Sequence, residues 1–146
     1  MFGLFLHIKS FSMKNFILLA LVLTFVGASC SKDSLVPDNT QLVHVDNITT
    51  YNQEIAAGVS VVFFHATWCT KCASQRPALE NMVGKSDFSS VFFGQVDYEK
   101  NTNIVNQSDV FSFPTILIYK DGVEKARYEG TGHSQATLEA KVKELL

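Results

Sequence analysis

Several kinds of residue are scarce in this sequence. Its 146 residues include only three cysteines, three prolines and one tryptophan. So few cysteines exclude a small scaffold held together by many disulfides, and so few prolines exclude a collagen-like chain. Neither sign of charge dominates, because 12 Lys and Arg residues face 14 Asp and Glu residues for a formal net charge of −2. Such a chain lacks the basic excess that binds nucleic acid, so we expect no nucleic-acid partner.

What the sequence does contain favours one globular domain. Hydrophobic residues make up 47% of the chain and charged residues 18%, a composition that can bury a core. The length fits one domain rather than two. Because the number of cysteines is odd, Cys30, Cys69 and Cys72 permit at most one internal disulfide, and the third cysteine needs another explanation.

The first 29 residues have the pattern of an export signal. Their apolar run extends from Phe16 to Val26, which is much shorter than the roughly 20 residues of a membrane-spanning helix but typical of a secretory signal. Lys14 precedes the run, and small residues at 27–29 lead to Cys30. This arrangement resembles a bacterial lipoprotein signal. The resemblance implies a signal peptide over residues 1–29, with Met13 as an alternative start, and a lipid anchor on Cys30.

A polar segment follows the signal. Residues 30–41 contain one proline and no periodic apolar face, which predicts a tether. Lys32 and Asp33 resemble the surface-sorting signal of some Bacteroidetes lipoproteins, although a solvated linker explains two charged residues equally well. We therefore expect the protein in the cell envelope of a Gram-negative bacterium, facing the periplasm or the cell surface. A single anchoring helix and a buried core helix are the alternatives for the apolar run, which is short and has no polar face.

After the tether, predicted strands and helices alternate. Strands are predicted at residues 42–45, 59–66, 91–97, 115–119 and 124–128, and helices at 47–57, 69–82, 103–107 and after Ser134. The run at 59–66 is almost wholly apolar, which is typical of a central strand covered on both faces. The order predicts an α/β fold over residues 42–146, a three-layer α/β/α sandwich with a mixed central sheet.

A pair of cysteines follows the predicted central strand. Cys69 and Cys72 stand three residues apart at the start of a predicted helix, close enough for a small disulfide ring. Cys69 meets the unpaired backbone N–H groups and the positive end of the helix dipole, which lower the pKa of a thiol and favour a nucleophile. Cys72, one turn further in, is expected to be more buried and to attack the mixed disulfide that Cys69 forms.

Four features together resemble the thioredoxin family over residues 42–146. They are the strand leading to Trp68-Cys69-x-x-Cys72, Pro77 five residues later, Phe113-Pro114-Thr115 before the hairpin, and Gly130 and Gly132 before the last helix. The resemblance implies a thioredoxin-like sandwich and disulfide exchange with protein thiols. It also implies a cis Pro114 beside the cysteine pair, where Phe113, Pro114 and Thr115 position the substrate chain and Trp68 borders the site.

Two positions depart from the family's pattern. Its well-known members carry a buried acid six residues before the first cysteine, whereas this chain has Phe63 there. An apolar neighbour raises the pKa of a thiol, so we expect Cys72 to release its proton less readily and to resolve mixed disulfides slowly. The dipeptide between the cysteines is Thr70-Lys71. Lys71 either stabilises the Cys69 thiolate and makes the disulfide more oxidising, or points into water.

Other chemistries fit the cysteine pair less well. A structural disulfide is the first alternative, but a bridge between such close residues constrains the unfolded chain very little. A closed zinc site needs two further ligands, and haem attachment needs a histidine where the chain has Ala73. We therefore predict no metal and no cofactor beyond the redox-active disulfide. His65 is interpreted as a partly buried, hydrogen-bonded residue that ends the strand, with proton transfer as the alternative.

These patterns predict an extracytoplasmic thiol:disulfide oxidoreductase that exchanges disulfides with protein substrates, as a reductase rather than an oxidase. In an oxidising envelope a reductase requires a membrane electron donor and an oxidase requires an acceptor. The alternative is a tethered thioredoxin-like module that binds proteins in the same groove without redox turnover.

Overall fold

A five-stranded mixed sheet organises the fold. The computed structural model describes residues 34–37 and 39–146, so the predicted signal peptide and Cys30 lie outside the described residues. The strands are β1 (Val43–His44), β2 (Val59–His65), β3 (Val91–Asp97), β4 (Thr115–Lys120) and β5 (Val123–Glu129). Their order in the sheet is β1-β3-β2-β4-β5. The first three run parallel, and β4 and β5 pair antiparallel, as the sequence predicts.

Four helices cover the sheet. They are α1 (Ile48–Ile55), α2 (Thr70–Glu80), α3 (Thr102–Gln107) and α4 (Gln135–Leu145), and a short 3₁₀ helix at Ser86–Phe88 joins α2 to β3. The alternation of strands and helices is confirmed, and the 3₁₀ helix is an addition to it. Within the described residues, no helix is both long and apolar enough to cross a membrane.

Alternate residues of β2 build the two halves of the core, because successive side chains of a strand point to opposite faces. Val61 and Phe63 join the cluster on the side of Leu79 in α2, whereas Phe64 joins the cluster on the side of Tyr51 in α1. All seven residues of β2 are buried. The predicted three-layer sandwich with β2 at its centre is therefore confirmed.

Local signals set the hairpin and the last helix. Asp121 and Gly122, both with positive φ angles (50° and 79°), form the two-residue turn between β4 and β5, a position that favours Asp-Gly. Ser134 caps α4 by accepting a hydrogen bond from the backbone N–H of Thr137. Both features lie where the sequence predicts them.

Part of the predicted tether lies on the domain. The backbone N–H of Leu35 donates to the carbonyl oxygen of Thr67 at 3.0 Å, and the Thr40 hydroxyl donates to the Glu80 carboxylate at 2.7 Å. The sequence predicts a tether over residues 30–41, and within it residues 35 and 40 make these contacts with the domain. A pattern of polar residues does not reveal such contacts, because they depend on partners distant in the chain.

Candidate active site

The end of β2 delivers the two cysteines to the edge of the sheet. Cys69 is the N-cap of α2, so the helix begins one residue later than predicted, and Cys72 lies in its first turn. A disulfide joins the two residues, whose Cα atoms are 5.2 Å apart. The predicted closeness of the two thiols is therefore confirmed.

The helix start directs a backbone donor at Cys69. The N–H of Cys72 donates to the Cys69 sulfur at 3.1 Å, in the manner of a side-chain cap. A hydrogen bond to the charged form of a group lowers its pKa, so this geometry favours a thiolate at Cys69 once the disulfide is reduced. Cys69 is 6% exposed and Cys72 2%, which is the order of burial that the sequence predicts.

Trp68 and Phe113 are the aromatic residues of the predicted substrate site, and Tyr98 and Phe111 add further exposed rings. Trp68, directly before Cys69, is 60% exposed. Phe113 packs against the core cluster that contains both cysteines, and its ring centroid lies 5.0 Å from that of Tyr98. Phe111 is 88% exposed. Phe111 and Tyr98 were not predicted, because the sequence alone does not distinguish an exposed phenylalanine or tyrosine from a core residue.

The loop that carries Phe113 is fixed by hydrogen bonds. The peptide bond between Phe113 and Pro114 is cis, as the family resemblance implies. The Pro114 carbonyl oxygen accepts from the N–H of Gly130 at 2.8 Å. Thr115 is buried, and its hydroxyl donates to the carbonyl oxygen of Ser112 at 2.8 Å. The Thr115 side chain therefore stabilises this loop from within.

Between the cysteines, the two variable residues face solvent. Thr70 and Lys71 are both exposed. The exposure of Lys71 fits the second of its two predicted roles, a side chain that points into water. Among the described residues, no group of three or more histidine, cysteine, aspartate or glutamate side chains is arranged to hold a metal ion.

Phe63, in the same core cluster as both cysteines, occupies a fully buried position. Its ring is stacked on the His65 ring with centroids 5.6 Å apart, and the Arg76 guanidinium carbon lies 5.1 Å from the Phe63 centroid on the ring face. Phe63 therefore stands between two ionisable side chains. This site contains a cation over an aromatic ring, an arrangement known to be attractive, where the family pattern has an acid.

His65 is more deeply buried than predicted. It ends β2, as expected, but it is only 1% exposed, and neither ring nitrogen has a hydrogen-bond partner among the described residues. The prediction of a partly buried histidine was wrong, because the side chain is fully buried and the Phe63 ring is stacked on its imidazole. Burial, assisted by the positive charge of Arg76, lowers the pKa of His65 to about 4. The imidazole is therefore neutral at neutral pH.

Arg76 is the buried cation of the site and was not predicted. It lies in α2 and is 3% exposed. Its Nη1 donates to Gln95 Oε1 at 2.7 Å and to Thr40 Oγ1 at 3.1 Å. Burial lowers the pKa of Arg76 from its usual value, but a guanidinium stays protonated in proteins. The sequence signal was available, since Arg76 is four residues after Cys72 on a helix and residues so spaced share a face.

Comparison with known proteins identifies the family. The family model for thioredoxin matches residues 42–144. A thioredoxin of Chlamydia caviae is 34% identical over 89 residues, which are 61% of this chain and 85% of the Chlamydia protein. Thioredoxin Asp f 28 of Aspergillus fumigatus is 34% identical over 82 residues, 56% of this chain and 74% of the fungal protein. The oxidised mitochondrial thioredoxin 3 of Saccharomyces cerevisiae is 26% identical with a TM-score of 0.63, over 73% of this chain and 97% of the yeast chain. The chain therefore belongs to the thioredoxin family, and its Cys69–Cys72 pair makes it a thiol-disulfide oxidoreductase.

Proposed function

We propose that the protein is an extracytoplasmic, lipid-anchored reductase of protein disulfides, with Cys69 as the nucleophile and Cys72 as the resolving thiol. One observation carries the assignment of roles. The backbone N–H of Cys72 lies 3.1 Å from the Cys69 sulfur at the start of α2, so the helix start favours the thiolate of Cys69 rather than that of Cys72. The exposed Trp68 next to Cys69 provides an apolar surface for a substrate chain.

Two successive thiol–disulfide exchanges make up the proposed reaction. The Cys69 thiolate attacks one sulfur of a substrate disulfide, forming a mixed disulfide and releasing the other substrate sulfur as a thiolate that takes up a proton. Cys72 then loses its proton and attacks the Cys69 sulfur. The Cys69–Cys72 bond forms, the bond from Cys69 to the substrate breaks, and the second substrate thiol leaves. The substrate gains two electrons and two protons, and the enzyme is left oxidised.

Trapping experiments test these roles. A Cys72→Ser variant is expected to accumulate mixed disulfides through Cys69, visible as high-mass bands that disappear on reduction and identifiable by mass spectrometry. The matched Cys69→Ser variant should capture none. If both variants retain the same partners after complete reduction, the protein is the non-redox binding module instead.

The direction of electron flow follows from the reduction potential of the pair. A reductase is expected to have a reduction potential of about −270 mV, and an oxidase one of about −120 mV. Equilibration of the Cys69–Cys72 disulfide with glutathione buffers measures this value. A reductase in an oxidising envelope also requires a membrane electron donor. A measured potential near the oxidase value would instead require a membrane electron acceptor.

The proposed location rests on the sequence, with its short apolar run and Cys30. Cells fed a labelled fatty acid should incorporate label into the wild-type protein but not into a Cys30→Ser variant. The Cys30→Ser variant should also leave the membrane fraction. An exported wild-type protein whose mass shows a free Cys30 thiol would contradict the lipid anchor.

A further inference from the structure

Arg76 lies one helical turn after the proposed resolving cysteine. Cys72 and Arg76 are both in α2 and both buried. Residues four apart on a helix share a face, with Cβ atoms about 5–6 Å apart. The Phe63 ring contacts the Arg76 guanidinium, and Phe63 and Cys72 belong to the same core cluster. The helix therefore presents a cationic side chain and a thiol on one face, and the cation contacts the residue that stands where the family pattern has an acid.

The positive charge of Arg76 is only partly compensated. Gln95, its closest partner at 2.7 Å, is neutral, and so is the Thr40 hydroxyl. The carboxylate of Glu80 is 3.8 Å from Nη1 and partly exposed. Nη2 is buried without a hydrogen-bond partner among the described residues. A buried cation with an unused donor stabilises a negative charge that appears nearby.

We propose that Arg76 is a positioning residue for the exchange reaction, which favours the thiolate form of Cys72 when the pair is reduced. The proposal rests on the assignment of Cys72 as the resolving thiol. It also changes an expectation from the sequence. Phe63 alone predicts slow resolution of the mixed disulfide, because an apolar side chain cannot accept the proton of Cys72 and raises the pKa of its thiol. A cation on the same helix face compensates for the missing acid by stabilising the product of that deprotonation.

The other ionisable groups nearby do not replace Arg76. His65, at the end of β2, is neutral at neutral pH, because burial lowers its pKa to about 4. Asp97, at the end of β3, is an acid and has Lys100 3.8 Å away as its own partner. His133, before α4, has its ring nitrogen Nε2 2.9 Å from the carbonyl oxygen of Glu129. The carboxylate of Glu80 partly offsets the positive charge of Arg76 itself. Arg76 is thus the buried cation available to Cys72 among the described residues.

An aromatic disulfide with a coloured leaving thiolate separates the two steps. With the full chain carrying Cys30→Ser, Ellman's reagent releases one coloured thiolate when Cys69 attacks it and a second when Cys72 resolves the adduct. The first phase reports the reactivity of the Cys69 thiol, the pH midpoint of the second phase reports Cys72, and the trapping experiment with Cys72→Ser separately tests the proposed function. We expect Arg76→Met to raise that midpoint by about one unit, with about tenfold slower resolution below it.

Three matched variants distinguish a charge effect from a packing effect. Arg76→Lys keeps the charge and should keep the midpoint near that of the parent protein. Arg76→Gln removes the charge but stays polar, and should shift the midpoint as Arg76→Met does. Gln95→Met removes the 2.7 Å partner of Arg76 without removing the cation, so it should lower thermal stability without a comparable shift.

Two results would overturn the proposal. The first is an unchanged second-phase midpoint in Arg76→Met and Arg76→Gln. The second is an equal shift in Gln95→Met, since that variant keeps the charge. Failure of the proposed function looks different, because the Cys72→Ser variant would then trap no mixed disulfide with a protein substrate, whatever stands at position 76.

Discussion

Both faces of the sheet bury polar side chains, but only one face satisfies them. On the face opposite the cysteines, the hydroxyl of Tyr51 is 2.7 Å from the Ser108 hydroxyl and 2.8 Å from the Tyr119 hydroxyl. Burial raises the pKa of both phenols, so they stay protonated and can donate. These three residues, the hydroxyl cluster, form a closed set of partners.

On the cysteine face, the buried polar groups are incompletely paired. Within the described residues, every buried side-chain nitrogen or oxygen without a partner belongs to His65 or Arg76. Both side chains contact Phe63, which belongs to the core cluster of the cysteine pair. Unpaired buried polar groups reduce stability, and native proteins contain few of them. The contrast indicates that the hydroxyl cluster contributes to stability, whereas the unpaired groups of His65 and Arg76 reduce it on the cysteine face.

Acid is expected to reveal the largest difference between the two faces. His65 has a pKa of about 4 in the folded protein and about 6.5 in an unfolded chain. Between these values the unfolded chain binds a proton that the folded protein does not, so the free energy of unfolding falls as pH drops from about 6.5 towards 4. The full contribution is present above about 6.5.

The expected loss from this one group between about pH 7 and about pH 4.5 is about 2.5 kcal/mol. Urea unfolding of wild type and His65→Leu at about pH 7 and about pH 4.5 measures it. Because leucine does not titrate, the variant should lose much less stability over this range. Equal losses in the two proteins would show that His65 does not set the acid sensitivity.

Removing the central member of the hydroxyl cluster should have the next largest effect. Tyr51→Phe keeps the ring but leaves the hydroxyls of Ser108 and Tyr119 without that partner, in buried positions. We expect the free energy of unfolding to fall by about 2 kcal/mol. Equilibrium urea unfolding, with Tyr98→Phe at a more exposed position as the matched control, measures the difference. A loss no larger than that of the control would mean that the cluster adds nothing.

At neutral pH, removing a buried polar group from the cysteine face should increase the free energy of unfolding rather than decrease it. His65→Leu replaces two unpartnered ring nitrogens with apolar atoms of similar bulk. Removing a buried polar group that has no partner is expected to increase the free energy of unfolding, by about 1 kcal/mol. The thermal unfolding midpoint of the oxidised protein is the measurement. A clear decrease would show that the imidazole has a partner and that the two faces do not differ in this way.

The sequence predicted those features that depend on neighbours along the chain. The apolar run of β2, the Asp121-Gly122 turn and the start of α2 near Cys69 all follow from local patterns. The residues that contact Phe63 could not be predicted from such local patterns. Whether Phe63 contacts a cation depends on Arg76, which lies 13 residues further on and reaches the ring only after α2 packs on the sheet.

His65 shows the same limit. Its place at the end of β2 is a local property and was predicted, but its burial and its lack of partners depend on what the folded chain brings around it. Likewise, the contact between Leu35 and Thr67 joins residues far apart in the sequence. Periodicity and spacing describe one element at a time, so polar contacts between elements are not specified by them.

The smallest effect is expected at the edge of the hydroxyl cluster. Ser108→Ala removes one hydroxyl, but the Tyr51 hydroxyl keeps its bond to Tyr119 at 2.8 Å. The cluster also borders an open cavity of about 240 Å³, which is large enough to admit a water molecule as a replacement partner. The free energy of unfolding should therefore fall by only about 0.5–1 kcal/mol, less than in Tyr51→Phe. The double variant should lose less than the sum of the two single variants, because both substitutions remove the same hydrogen bond between Tyr51 and Ser108. Urea unfolding of the two single variants and the double variant measures this coupling. Simple additivity would mean that the hydroxyls act independently, and the contrast with the cysteine face would then rest on His65 and Arg76 alone.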